Sequence, residues 1–150
     1  MFMKPFEINV ALALLNIWQL ECEELINKCE VKYNHLCSSY NINKNNSITT
    51  QQMENNLSIV LKSSILMNEI NDVIQIKLCL LNTKSILLRE LRLRNEHIDE
   101  IDSNTVDNYI KDKVLYHVIR LLENEERYEE CNIINQKRLN LSYQIEAQLF

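Results

Sequence analysis

Residues 49–101 read TTQQMENNLSIVLKSSILMNEINDVIQIKLCLLNTKSILLRELRLRNEHIDEI and contain neither glycine nor proline. Two apolar rows run through this stretch at steps of three and four residues or their multiples. One is Leu57, Val60, Met67, Ile74, Leu78, Leu81 and Leu88; the other is Leu66, Ile70, Val73, Leu80, Leu87, Leu91 and Ile98. Such spacing belongs to a helix with apolar residues on more than one face, which predicts the middle of a helical bundle. Its start is marked by Thr49 and Gln52, a Thr-x-x-Gln capping box, with Ile48 and Met53 placed as a hydrophobic staple. The helix is expected over 49–101, either continuous or kinked near 68–72, where Asn68, Asn71 and Asp72 weaken the pattern.

The whole chain of 150 residues has no glycine and a single proline. Glycine supplies the positive φ that hairpins and phosphate-cradling loops need, so P-loops and Rossmann fingerprints are excluded in their standard forms. A composition 46% hydrophobic and 25% charged suits one folded domain over 1–150. The formal net charge of −5 argues against broad nucleic-acid binding.

Upstream, Pro5 fits the first turn of a helix expected over 5–39. Its seam is Ile8, Ala11, Leu15, Trp18, Cys22, Leu25, Cys29 and Leu36, and Tyr33 takes over the layer where Lys32 falls in register. The apolar run Val10–Leu15 is too short to span a membrane, and no small-residue cleavage site follows it. A polar segment, Ser38–Ser47, separates this helix from the next. Downstream, Asp102–Thr105 supplies a turn and a new N-cap for a third helix over 104–130. The last segment, 132–149, is either a fourth helix after a break near Cys131–Asn135 or a continuation of the third. The expected fold class is therefore all-α, an elongated three- or four-helix up-and-down bundle with coiled-coil-like packing.

Chemistry is sparse. Five cysteines, an odd number scattered along helical patterns, imply reduced thiols and an intracellular, cytoplasmic or nuclear setting. Cys22, Cys29 and Cys37 with His35 are too widely spaced on one helix for their sulfurs to converge on a zinc ion, so no metal is expected. Their expected role is core packing. The Asn-x-Ser sequons at Asn45, Asn56 and Asn140 are expected by chance in an asparagine-rich chain. Arg89, Arg92 and Arg94 form a basic patch, and Glu123, Glu125, Glu126, Glu129 and Glu130 an acidic one. His117, among apolar neighbours, is expected to be hydrogen-bonded and partly buried.

Arg92 and His97 resemble the Arg-x4-His pair of HEPN-type helical ribonucleases, although Leu93 follows the arginine where that family carries a polar residue. The resemblance implies a histidine for proton transfer and an arginine for phosphate. Lys84, Leu87, Leu88, Leu91, Arg94 and Ile98 resemble the central helix of GINS replication-complex subunits, without the aromatic residues usual there. That resemblance implies a place in an assembly. No nucleophile–base–acid set is present, so no catalytic residue, cofactor or small-molecule substrate is expected.

The expected function is a non-enzymatic interaction subunit that binds protein partners in a hetero-complex or homo-oligomer, without membrane or direct nucleic-acid contact. The alternatives are a HEPN-like ribonuclease or RNA-binding protein and a compact Bcl-2-like regulatory binder. Ile134, Leu141, Ile145 and Leu149 repeat at helical spacing after the acidic stretch and are the expected partner-binding residues. The capping box gives a direct test of where the central helix starts. Thr49→Ala is expected to cost about 1 kcal/mol, read as a lower denaturation midpoint. An unchanged midpoint would place the start elsewhere.

Overall fold

The computed structural model describes residues 3–43, 50–98, 101 and 111–149, the side chains at 40–43 and 142–149 falling outside that description. All regular structure among these residues is helical: α1 is Pro5–Asn43, α2 Thr50–Leu93, α3 Lys111–Asn124 and α4 Tyr128–Leu149. The chain is an all-α helical bundle. It divides into two compact units rather than sharing one core, the first formed by residues 1–19 with 78–150 and the second by residues 20–77.

In the first unit the centre is taken by the start of α1. Ile8, Val10, Ala11, Leu12, Leu14, Leu15 and Trp18 are all buried, with Glu7 and Asn9 buried among them. Six consecutive buried residues, Glu7–Leu12, cover every side of the helix, so this segment is interior, while Phe6 and Ile17 keep an exposed edge. This corrects the expectation that the second helix would be the middle of the bundle. Around it stand the end of α2, through Leu80, Ile86, Leu87 and Leu91, and α3, through Val114, Leu115, Val118 and Leu122. The apolar residues of α3 fall on one side at steps of three and four, so it covers the core and keeps Lys113, Arg120 and Glu123 in water.

Buried polar groups in this unit are paired, as their desolvation requires. Glu7 Oε2 lies 2.6 Å from His117 Nδ1, which ties α1 to α3. Asn9 donates through Nδ2 to the carbonyl oxygens of Pro5 at 3.2 Å and His97 at 3.3 Å. The fully buried Thr83 hydroxyl donates to the Cys79 carbonyl at 2.8 Å. Glu130 accepts from Asn82 Nδ2 at 3.3 Å and Arg127 Nη2 at 2.6 Å.

Helix boundaries differ from expectation for identifiable reasons. α2 passes through Asn68–Asp72 without interruption and stops at Leu93, short of 101. There Asn95 takes φ 55°, Glu96 N–H reaches Leu91 O at 2.9 Å and Asn95 N–H reaches Arg92 O at 3.1 Å. These bonds form a Schellman cap. α3 ends the same way: Glu126 has φ 58°, with Arg127 N–H to Leu122 O at 2.9 Å and Glu126 N–H to Glu123 O at 3.0 Å. The break between the last two helices therefore falls inside the acidic stretch, not at Cys131–Asn135. The Thr49 capping box and the turn at Asp102–Thr105 lie outside the described residues.

With no glycine to give, the chain places asparagine and glutamate in the left-handed region. Asparagine tolerates it, but a glutamate Cβ meets the following carbonyl. Glu126→Gly is therefore expected to raise stability by about 1 kcal/mol, seen as a higher unfolding midpoint. A lower midpoint would show that the Glu126 side chain contributes more than its backbone costs.

Candidate partner-binding surface

The second unit is a pair of antiparallel helical segments, 20–43 of α1 and 50–77 of α2. Its register is visible in two pairs. Lys77 Nζ lies 3.2 Å from Glu23 Oε1, and Cys29 Sγ lies 3.9 Å from Glu69 Oε2. Between the helices only Cys22, Cys29 and Ile70 are buried among the described residues, while Ile26, Tyr33, Leu36, Leu66 and Val73 are half-buried. Leu25, placed in the α1 seam from its spacing, is instead exposed; Ile26 occupies that layer, because the helix advances by 3.6 and not 3.5 residues per turn.

One apolar row of α2 faces α1, and the other faces water. Met53, Leu57, Val60, Met67 and Ile74 retain 36–60% of their accessible surface. This corrects the expectation of burial on more than one face: among the described residues of this unit α2 has one neighbouring helix, and one neighbour covers one stripe. Leu61 and Ile65 are exposed on α2, as are Leu20 and Val31 on α1.

An open groove runs along each side of the helix pair. The larger, about 580 Å³, is lined by Tyr33 and Cys37 on α1 and by Ile59, Val60, Ser63, Ser64, Met67 and Asn68 on α2. The smaller, about 380 Å³, has Leu36, Ile65 and Leu66 with Lys32, His35 and Lys62. In the larger groove the Tyr33 phenol is held above its ordinary pKa, first by its hydrogen bond with the Cys37 side chain and then by the charge Cys37 gains on ionising.

The residues singled out from spacing are scattered across other settings. Ile134 is fully buried in the first unit and is not available to a partner. It lies one turn beyond Glu130, whose pairing with Asn82 fixes this part of α4 on α2. Lys137 stands over the Trp18 ring at 5.6 Å, and Arg138 Nε meets Asp112 Oδ1 at 2.6 Å, so the first half of α4 packs within its own chain. Leu141 is half-buried, and the side chains of Ile145 and Leu149 lie outside the described residues.

The basic patch is also dispersed. Arg89 pairs with Glu125 across α2 and α3, and Arg94 bonds the Met3 carbonyl and, at 3.3 Å, Glu90. Arg92 is exposed in the last turn of α2. His97 is exposed beyond the Schellman cap, so a helix end separates it from Arg92.

Neither Cys79 nor Cys131 is activated. Burial, with the nearby Glu130 and Glu129 charges, raises the Cys79 pKa, and burial with Glu123 and Glu130 raises that of Cys131. Among the described residues no group of histidine, cysteine and acidic side chains is placed to hold a metal ion. No described helix is long and apolar enough to cross a membrane. Compared with protein-family models, curated proteins and solved structures, the chain matches none.

The exposed row was present in the spacing of Leu57, Val60, Met67 and Ile74; what the spacing did not carry was which row α1 would cover. A raised thiol pKa leaves less thiolate at any given pH. Alkylation of Cys79 and Cys131 is therefore expected to rise at higher pH than that of a thiol in an unstructured peptide. Rapid alkylation of either at neutral pH would contradict these environments.

Proposed function

We propose that this chain is a non-enzymatic interaction subunit that holds a protein partner through the helix pair 20–77. The observation that carries this reading is the uncovered row Met53, Leu57, Val60, Met67 and Ile74 on α2. Contiguous exposed apolar surface of this kind marks association sites. Burying the remaining half of each such side chain contributes roughly 1 kcal/mol, before the costs of association. The two grooves beside the helix pair give a partner helix a seat. Five free thiols suit a reducing, intracellular setting. On this reading the interaction belongs to the second unit rather than to the last helix, where Ile134 is buried.

The test compares the native protein with Val60→Lys/Met67→Lys, recovered from its source under non-denaturing conditions. Both substitutions fall on exposed positions, so helical content by circular dichroism is expected to stay unchanged. The native chain is expected in a defined protein complex, whether with another protein or with itself, and the variant is expected to be released from it. An identical complex for the variant, or a native chain recovered as a partner-free monomer, would contradict the reading.

A further inference from the structure

Seven exposed positions along α2 alternate by four and three residues: Met53, Leu57, Val60, Ser64, Met67, Asn71 and Ile74; Leu61 and Ile65, also exposed, lie off this row. They form two columns with a seven-residue repeat. One column, Met53, Val60, Met67 and Ile74, is wholly apolar; the other is Leu57, Ser64 and Asn71. Every one of these residues faces solvent in the chain by itself. This is the spacing of an a/d seam, about three heptads and roughly 33 Å long at 1.5 Å per residue. Resting on the reading above, we propose that its occupant is the same segment of a second copy of this chain, paired in parallel and in register.

The polar members of the seam select this occupant and its direction. In a parallel pair each column meets itself. Ser64 then opposes Ser64 of the other copy and Asn71 opposes Asn71, so that the hydroxyls and amides satisfy one another. A single asparagine in this kind of position fixes register and strand number by that mutual bond. An antiparallel pair sets one column against the other. Asn71 would then always face an apolar residue and lose hydrogen bonds to water without replacement. Self-pairing is therefore both available and directional.

Charge agrees with it despite the net −5 of the whole chain. The positions flanking the seam are Glu54, Leu61, Asn68 and Gln75 on one side and Asn56, Ser63, Ile70 and Lys77 on the other. In a parallel pair Asn56 comes beside Leu61 and Ser63 beside Asn68, so no like charges meet, while Ile70 stays buried against α1. Lys62, Glu69 and Asp72 fall at positions off the seam, and Glu69 is already engaged with Cys29. The larger groove opens beside Val60, Ser64 and Met67, which leaves room for a second helix next to α1. A two-fold pair of this kind closes on itself.

Sedimentation equilibrium of the full chain, followed by site-specific disulfide trapping, tests the proposal. The native chain is expected to sediment as a dimer at tens of micromolar, and Met67→Lys as a monomer of unchanged helicity. Mild oxidation of Ser64→Cys is expected to link two copies through the introduced thiols, identified by mass spectrometry against oxidised native protein. A native chain that stays monomeric at hundreds of micromolar would overturn self-pairing. If that monomer still entered a protein complex sensitive to Val60→Lys/Met67→Lys, the interaction reading would stand without it. Mixing Ser64→Cys with Met67→Cys distinguishes direction: a disulfide between positions 64 and 67 in place of the 64–64 link would overturn the parallel arrangement.

Discussion

A helix that touches one neighbour hides only the stripe that meets it, and the unit formed by residues 20–77 provides two helical segments among its described residues. That limit governs both halves of the molecule. In the first unit, segments of four helices pack together, and residues 7–12 of α1 can be buried on every side because that stretch is covered. In the second unit, among the described residues, the same kind of sequence meets one partner helix. The row through Ile70 turns inward and the row through Met67 is left in water. The functional reading depends on this mismatch between apolar faces supplied and faces covered.

The uneven covering also sorts the polar residues. Where the bundle is closed, buried polar atoms come with partners: Glu7 with His117, Asn9 with backbone carbonyls, Glu130 with Asn82 and Arg127. Each ties two segments together, and removal of one member would strand the other in a low-dielectric interior. Where the helix pair is open, Ser64 and Asn71 face water. They cost nothing there, and they become informative only when a second surface approaches.

Much of this was readable in the residues. The absence of glycine, Pro5 at a helix start and the three-and-four spacing pointed to a helical bundle, and the described residues form one. The two rows of α2 were visible as well. Spacing alone does not say which of two apolar rows a neighbour takes, because that depends on the register between α1 and α2, fixed here by pairs such as Glu23 with Lys77. Helix ends were harder still. Asn95 and Glu126 carry left-handed caps that glycine would have announced, so the stops at Leu93 and Asn124 had no local signal. The tail misled for a related reason: the acidic stretch looked like an interruption of the bundle, yet it contains Glu130, a buried hydrogen-bonding group that fastens α4 to α2.

The most direct measurement of the central claim follows two signals in one thermal unfolding experiment on the full chain. The single tryptophan, Trp18, is buried in the first unit, whereas far-ultraviolet circular dichroism reports helix in both. If residues 20–77 depend on an added partner surface, dilute protein will lose part of its helical signal before Trp18 emission shifts. That early phase will move to higher temperature as protein concentration rises. Superimposable transitions at every concentration would show that the second unit is as self-sufficient as the first, and would contradict the account.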